Sequence, residues 1–376
     1  MRTRPLRLLP ALAAALSLLV TSGCSVFTTM YETPGPKPHV RPLPVEGTGL
    51  FDYKGVLHCH GYLSHDSDGT IEEIVAAARN AHVDFVGMTD HQTDASIRDG
   101  QRGVVDGVLF LVGCEQRSPQ GTVLALGLRE PIKRWQHAGL LAKDAAAQGG
   151  VAFLCHAESW KDWDVAGMTG VEIVNLHAGA NARPKAGTLF TALLMPLRQL
   201  FEHLCYRDAE IFRNWDRQLA ARHPFTPIGG DDAHANISAL VSTIGTYDEV
   251  FLTLSTHVLA PELSEETVLE ALRLGRTYVA FDIFGEGCGF DFRAVDAQGV
   301  HVVGSTVPAS PELQLRVAVP SEGHIQLRRD GEVVREVVGR EAVVDDPEPG
   351  VWRVEVHTAA GSPWLFSSSI KVTAGS

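Results

Sequence analysis

The chain has 376 residues, of which 45% are hydrophobic and 20% charged, and its formal net charge at pH 7 is −13. This length is sufficient for two domains with a sizeable core. The acidic balance argues against a protein that grips nucleic acid with a broad basic face, so we expect no long nucleic acid as a partner. A small anionic substrate remains compatible, because bound metal ions would dominate the local field.

The first 24 residues have the pattern of an export signal. Three arginines among the first seven residues precede an apolar run from Leu8 to Val20, which is shorter than the ~20 residues of a membrane span. The run ends before Cys24 in a segment that resembles the lipobox of bacterial lipoproteins, although Thr21 stands where that family favours leucine. The resemblance implies export, lipidation of Cys24 and a membrane anchor at the periplasmic face or cell surface. Plain secretion is the alternative.

The remaining chain divides into three parts by composition. Residues 25–50 contain five prolines, which favour an extended, semi-rigid tether. Residues 51–285 alternate short apolar runs with helical patterns, which is typical of a parallel α/β sheet or barrel. Residues 286–376 alternate apolar and polar residues at period two, with a turn signal at Asp330-Gly331, and therefore predict a small antiparallel β-sandwich.

The predicted elements of the first body follow one another along the chain. Strands are expected at 55–60, 84–91, 108–115, 122–128, 151–156, 171–177 and 226–230. Helices are expected at 70–81, 140–148, 188–204, 208–222 and 264–275. Thr70 and Glu73 have the spacing of a capping box, and Ser264 is the expected N-cap of the last helix.

Imidazoles and carboxylates follow many of the apolar runs. His58 and His60 flank Cys59 in a predicted strand, so both histidines project to one face and form a chelate for zinc, manganese or iron. Further polar residues stand at other predicted strand ends: Asp90, His91, Glu115, His156, Asp232 and His234. Because the carboxyl ends of parallel strands carry the site in α/β proteins, we expect one shared metal site.

These segments resemble a known family. The stretches LHCHGYLSHDSDGT, TDH, GCE, FLCH and GGDDAH occur in the order of the polymerase-and-histidinol-phosphatase (PHP) metallohydrolases, over residues 51–283. The resemblance implies a distorted (β/α)7 TIM-like barrel that holds two or three divalent metal ions (Zn, Mn or Fe) at its mouth. It implies one ion held by His58, His60, Glu115 and Asp232, a second bridged by Glu115 and bound by His156, and a third held by Asp66, His91 and His234.

Two features of the resemblance leave alternatives open. His65 and Asp66 both fit one ligand position, and the offset from Ser64 favours Asp66. Relatives often have a histidine where this chain has Thr122, so the cluster either is smaller or includes another group such as His177. We interpret Cys59, Cys114 and Cys155 as small buried core residues rather than ligands.

A site of this type hydrolyses its substrate with metal-activated water and needs no side-chain nucleophile. We therefore expect an exported phosphoesterase that acts on a small phosphorylated molecule. One alternative is a CehA-like hydrolase of esters, amides or carbamates, which the C-terminal segment PWLFSSSIKV favours. Another, from a different class, is a non-catalytic binding or scaffold lipoprotein stabilised by metal, which Thr122 would suit.

Overall fold

The computed structural model of the protein describes residues 42–177, 197–234, 237–239 and 242–375. The export signal, Cys24, most of the tether and the first half of the helix predicted at 188–204 lie outside the described residues. No helix in the described ranges is long and apolar enough to cross a membrane.

The elements have the following bounds. The β-strands are β1 (Leu43–Val45), β2 (Leu50–Cys59), β3 (Phe85–Met88), β4 (Gly103–Val105), β5 (Val108–Arg117), β6 (Thr122–Leu126), β7 (Val151–Cys155), β8 (Gly170–Asn175), β9 (Thr226–Gly230), β10 (Ile237–Ala239), β11 (Ser242–Ile244), β12 (Ser255–Ala260), β13 (Thr277–Ala280), β14 (Asp291–Asp296), β15 (Gly299–Val302), β16 (Thr306–Pro308), β17 (Gln314–Arg329), β18 (Glu332–Asp345), β19 (Gly350–His357), β20 (Pro363–Ser367) and β21 (Ile370–Thr373). The α-helices are α1 (Ile71–Asn80), α2 (Asp94–Arg98), α3 (Ala138–Ala147), α4 (Leu197–Leu204), α5 (Ala209–Ala221), α6 (Tyr247–Phe251) and α7 (Glu265–Arg273), and 3₁₀ turns occupy Ala157–Ser159 and Asp282–Phe284.

Local sequence signals account for several of these elements. Thr70 and Glu73 form the expected capping box at the start of α1, and Ser264 caps α7. Asp208 accepts hydrogen bonds from two backbone N–H groups at the start of α5. These side chains satisfy N–H groups that have no partner within the helix.

The protein is a mixed α/β structure with one large sheet. Strands β2, β3 and β5 are parallel neighbours, and so are β7, β8 and β9. Strand β6 joins the two sets antiparallel, because residues 118–121 between β5 and β6 are too few for a parallel crossover. Strand β12, which the sequence pattern did not indicate, lies antiparallel between β2 and β13.

The sheet curves so that its first and last parallel strands approach each other. The Gly229 N–H of β9 donates to Thr256 Oγ1 of β12 at 2.8 Å, and Thr277 Oγ1 of β13 donates to the Pro227 carbonyl at 3.0 Å. At the carboxyl ends, the His60 N–H donates to the Ala233 carbonyl at 2.9 Å. The carboxyl ends of β2 and β9 are thereby held side by side, while the TIM-like barrel stays a prediction.

The C-terminal strands are antiparallel apart from the parallel pair β16 and β21. The expected hairpin turn is confirmed, since Arg329 pairs with Glu332 across Asp330-Gly331. These strands bury a hydrophobic cluster that includes Trp352 and Trp364 and extends to Leu259 of β12 and Tyr278 of β13. The domain boundary at 285 and the sandwich architecture stay predictions.

A buried ion network joins α5 to the C-terminal strands. Arg353 of β19 is 1% exposed. Its guanidinium nitrogens lie 2.6 Å from a carboxylate oxygen of Asp216 in α5 and 2.6 Å from one of Glu355 in β19. Arg207, which precedes α5, places its Nε 2.6 Å from Glu355 Oε2. Burial raises the pKa of Glu355, but the positive charges of Arg353 and Arg207 more than offset this and lower it to about 2.

Replacing Glu355 with glutamine is expected to lower the melting temperature of the protein, because Arg353 would keep its buried charge with one partner fewer. Breaking a buried pair typically costs about 3–5 kcal/mol. A depressed carboxyl pKa stabilises the fold above the unfolded value of about 4.3, and this stabilisation is lost as pH falls toward the folded value. Thermal unfolding followed by circular dichroism should show the largest deficit near neutral pH and a smaller one near pH ~3.

Glu341→Gln, on the exposed side of β18, is the matched control and should leave the melting temperature unchanged. An equal deficit for Glu355→Gln at both pH values would contradict the assignment of Glu355 as the ionised partner of Arg353.

Candidate metal centre

Eight side chains singled out in the sequence come together at the carboxyl ends of β2, β3, β5, β7 and β9. They form three overlapping groups whose nitrogen and oxygen atoms could hold metal ions. The groups are His58, Glu115, His156 and the nearby Cys155; His60, Asp66, His91 and His234; and His58, His60 and Asp232. The structure therefore brings together the eight residues of the expected ligand set.

Two buried carboxylates lie at the centre of this cluster. Glu115 has an oxygen within 3.2–3.6 Å of a nitrogen of each of four histidines: His58, His60, His91 and His156. Asp232 has an oxygen within 3.4–3.7 Å of a nitrogen of His58, His60, His156 and His234. Each carboxylate could therefore share a metal ion with histidines from several strands.

Asp66 completes the outer part of the cluster. Its Oδ2 lies 3.0 Å from His91 Nε2 and 3.2 Å from His234 Nε2. Its Oδ1 accepts a hydrogen bond from Ser64 Oγ at 2.6 Å. The loop after β2 thus places the Asp66 carboxylate beside the histidines at the ends of β3 and β9.

The spacing of these atoms is typical of donors around a shared cation. Nitrogen–oxygen hydrogen bonds measure about 2.7–3.2 Å, whereas His58 Nε2 and His60 Nε2 lie 3.4–3.6 Å from the oxygens of Glu115 and Asp232. Tetrahedral zinc, with bonds of about 2.0–2.1 Å, sets its donors about 3.4 Å apart. The donor set and its spacing fit divalent metal ions.

The imidazoles are oriented by partners on their other nitrogen. His58 Nδ1 lies 2.7 Å from Glu172 Oε1, and His234 Nδ1 lies 2.9 Å from the Asp232 carbonyl. His60 Nδ1 lies 3.3 Å from Ser64 Oγ. A proton held on Nδ1 leaves the Nε2 lone pair facing the carboxylates, which is the arrangement of metal-binding histidines.

Glu172 is a site residue that the sequence reasoning missed. It is 1% exposed in β8, and its Oε2 accepts hydrogen bonds from the His156 backbone N–H at 2.8 Å and from Asn175 Nδ2 at 3.0 Å. The signal in the sequence was a single glutamate inside the apolar strand GVEIVN. A buried charge in such a strand needs a partner, and here the partner is His58.

The charges of the cluster keep its central carboxylates ionised and its histidines unequal. Burial lowers the pKa of His58 and His156, but the neighbouring acidic groups outweigh this and raise both, so a metal ion must displace protons from these two rings. Burial raises the pKa of Glu115, but its contacts with His156 and His58 hold it well below the usual range. Burial likewise opposes ionisation of Asp232, yet the positive charges of His58 and His156 lower its pKa to about 2. Burial and the charges of His58 and His234 lower the pKa of His60 well below its usual value, so this ring is neutral.

Two of the cluster residues adopt left-handed backbone conformations at the point where their strands end. The φ angle is 50° at His156 and 50° at Asp232. Residues other than glycine seldom adopt positive φ, and such residues concentrate at functional sites. The turn at each position directs the side chain across the mouth of the sheet.

The remaining candidates lie at the edge of the cluster or outside it. The His65 side chain is 75% exposed, and its Nδ1 is 4.0 Å from Asp66 Oδ1, so Asp66 rather than His65 joins the ligand groups. His177 is exposed with its ring 6.2 Å from that of His234, and it joins none of the groups formed by described residues. Thr122 pairs with Cys155 across β6 and β7.

The cysteines beside the cluster are buried and free. Cys59, Cys114 and Cys155 form no disulfide, and burial raises the pKa of each thiol. Cys155 Sγ lies 3.7 Å from His58 Nδ1, on the side of the ring that faces Glu172. Neutral thiols in this setting act as small core groups.

The comparisons with known proteins are distant. No family model and no curated protein matches the chain. It is similar to a two-domain protein from Bacteroides vulgatus that contains a predicted PHP-like metal-dependent phosphoesterase, with 15% identity over 89% of this chain and 100% of that one and a TM-score of 0.41. It is also similar to a candidate metal-dependent phosphoesterase from Bifidobacterium adolescentis, with 14% identity over 52% of this chain and 93% of that one and a TM-score of 0.32. Likenesses at this level do not establish a shared activity.

Glu172→Gln is expected to weaken metal binding by roughly 10–100-fold, because loss of the partner that orients a ligating histidine typically costs that much. Competition against a chromophoric chelator measures the change. Glu130→Gln, an exposed glutamate paired with Arg98, should bind metal as the wild type does. Unchanged affinity in Glu172→Gln with a normal melting profile would contradict the role given to Glu172.

Proposed function

We propose that the protein is a metal-dependent phosphoesterase of the PHP type, built on a TIM-like barrel and followed by a β-sandwich. The observation that carries the proposal is the pair of buried carboxylates, Glu115 and Asp232, each within 3.7 Å of four histidines. This arrangement would hold two or three divalent ions close together. Such ions supply Lewis acidity toward phosphoryl oxygens and a hydroxide-like nucleophile at neutral pH.

The serine and the cysteine that contact the cluster histidines are both poorly placed to act as nucleophiles. Ser64 Oγ donates to Asp66 and accepts from the His91 backbone N–H at 3.1 Å. The Cys155 thiol is fully buried, and its pKa is raised by burial. Hydrolysis by direct attack of water therefore suits this site better than a covalent intermediate does.

The chain's own residues would contribute position and charge. Glu172 and Ser64 fix two imidazoles, so the donor atoms are set before substrate arrives. Buried carboxylates such as Glu115 and Asp232 interact strongly with cations. The expected substrate is a small phosphorylated molecule, whose non-bridging oxygens would face the metal ions.

A CehA-like hydrolase of esters, amides or carbamates is the second candidate. It is favoured by the resemblance of the C-terminal segment PWLFSSSIKV to the strand module of that branch. In the structure β20 of this segment pairs with β13. Assay of a generic phosphomonoester, a phosphodiester and a carboxylic ester, each with added manganese or zinc, separates the two. Turnover of the carboxylic ester alone would favour the second candidate.

We further propose that the protein is an exported lipoprotein anchored through Cys24. Cys24→Ser is expected to move the protein from the membrane fraction to the soluble fraction, because a single substitution removes the acylated residue. Fractionation with immunodetection measures this. Continued membrane association of the variant would contradict the anchor.

His58→Ala and Asp232→Ala should each reduce turnover by more than about 100-fold. Loss of a residue that only orients a metal ligand typically costs roughly 10–100-fold, and these two residues are expected to be ligands themselves. Each removes a donor from the centre of the cluster while the chain stays folded. Steady-state hydrolysis of the best substrate, together with circular dichroism, measures both effects. His324→Ala, an exposed histidine on β17, is the control, and wild-type rates in both cluster variants would refute the site.

A further inference from the structure

A second set of metal-ligand side chains lies apart from the eight residues of the metal centre. His257 of β12 faces Asp282 and Glu286, which follow β13, and one candidate ligand atom from each lies within 4.8 Å of the others. All three are buried, with exposed fractions of 0%, 0% and 6%. An imidazole and two carboxylates converge inside the protein.

The orientation of His257 is fixed by Asp52. His257 Nδ1 lies 2.7 Å from Asp52 Oδ1, and the Tyr278 hydroxyl donates to Asp52 Oδ2 at 2.8 Å. His257 Nδ1 also lies 2.8 Å from the Tyr278 oxygen. We assign the proton to Nδ1, because the Asp52 carboxylate accepts it there, and this tautomer leaves the Nε2 lone pair facing the interior. His257 Nε2 is buried and has no hydrogen-bond partner. A carboxylate that orients a histidine in this way recurs at metal sites.

The two carboxylates also direct oxygens into the same space. Asp282 Oδ1 accepts the Gly287 N–H at 3.0 Å, whereas Asp282 Oδ2 and Glu286 Oε1 form no hydrogen bond. Lys54 Nζ lies 2.9 Å and 3.7 Å from these two oxygens, close enough for charge attraction but outside hydrogen-bond geometry. One ammonium thus faces two buried carboxylates, and the His257 lone pair adds a third acceptor.

A buried acceptor that faces other acceptors is costly unless a cation lies between them. We propose that His257, Asp282 and Glu286 bind one divalent transition-metal ion, separate from the ions of the hydrolytic centre. An imidazole nitrogen with two carboxylate oxygens suits zinc or manganese. Lys54 then balances the charge of the coordinating carboxylates.

The position of this site gives the ion a structural role. Asp282 and Glu286 lie in the segment that connects β13 to β14, while His257 belongs to β12. Trp364 Nε1 of β20 donates to the Gly285 carbonyl at 2.8 Å in the same segment. An ion bound by these residues would clamp the connecting segment to the sheet, and its binding energy would add to the stability of the fold.

Elemental analysis of the purified full-length chain tests the site. His257→Gln and Glu286→Gln should each contain one metal equivalent fewer per chain than the wild type and melt at a lower temperature. His301→Gln, whose histidine is paired with Asp296 on the C-terminal strands, is the matched control and should keep the full content. Equal metal content in all four proteins would overturn the proposal.

Anomalous diffraction from wild-type crystals grown with manganese or zinc locates the ion without any substitution. A peak at the metal edge between His257 Nε2, Asp282 and Glu286 is expected. Lys54→Met should retain this peak, because the metal ion, and not the Lys54 ammonium, would supply most of the positive charge between the two carboxylates. No peak there, beside occupied positions at Glu115 and Asp232, would overturn the second site and leave the hydrolase proposal intact.

Discussion

Two carboxylates, Glu115 and Asp232, determine how the rest of the site is built. Each is almost fully buried, and each has four histidine nitrogens within 3.7 Å. A buried carboxylate stays ionised only when positive charge or hydrogen-bond donors surround it. The strand ends must therefore bring imidazoles or cations to these two points, and the ends of four strands do so: β2, β3, β7 and β9. The concentration of ligands follows from this single electrostatic requirement.

The same requirement recurs elsewhere in the chain. Glu355 is buried among three arginines at the contact between α5 and the C-terminal strands. Asp282 and Glu286 are buried around Lys54 and His257 at the connecting segment. In each case a carboxylate that would be unstable alone fixes the position of a neighbouring element. Paired charge thus joins α5 to the C-terminal strands and the segment after β13 to β2, in addition to the hydrogen bonds between β13 and β20.

Many residues of the metal centre could be predicted from the sequence, because short apolar runs indicate where strands end and the candidate ligands follow those ends. Alternation along β2 placed His58 and His60 on one face, and the end of each apolar run located Glu115, His156 and Asp232 at one edge. Capping signals located α1 and α7. These inferences depend only on residues close together in the chain, and the structure places the residues accordingly.

Other features depend on contacts between distant segments and were not predicted. The antiparallel direction of β12 is set by its pairing with β2, about two hundred residues earlier in the chain, rather than by local composition. Glu172 is the one charged residue of the strand GVEIVN, and His257 lies in the strand STHVLA. Each has a hydrogen-bond partner more than a hundred residues away in the chain. The sequence shows that each strand contains a polar residue, but the partner of that residue can be identified only from the folded structure.

The central claim, that the shared carboxylates hold ions which hydrolyse a phosphoester, is tested most directly by a metal titration of turnover. The metal-free full-length chain would receive manganese or zinc in steps, while bound metal and phosphomonoester hydrolysis are measured on the same samples. The account predicts no turnover in the metal-free chain, activity that rises as the centre fills, and its loss when a chelator removes the ions. Turnover in the fully stripped chain, or metal bound to capacity without hydrolysis of any phosphoester, would contradict it.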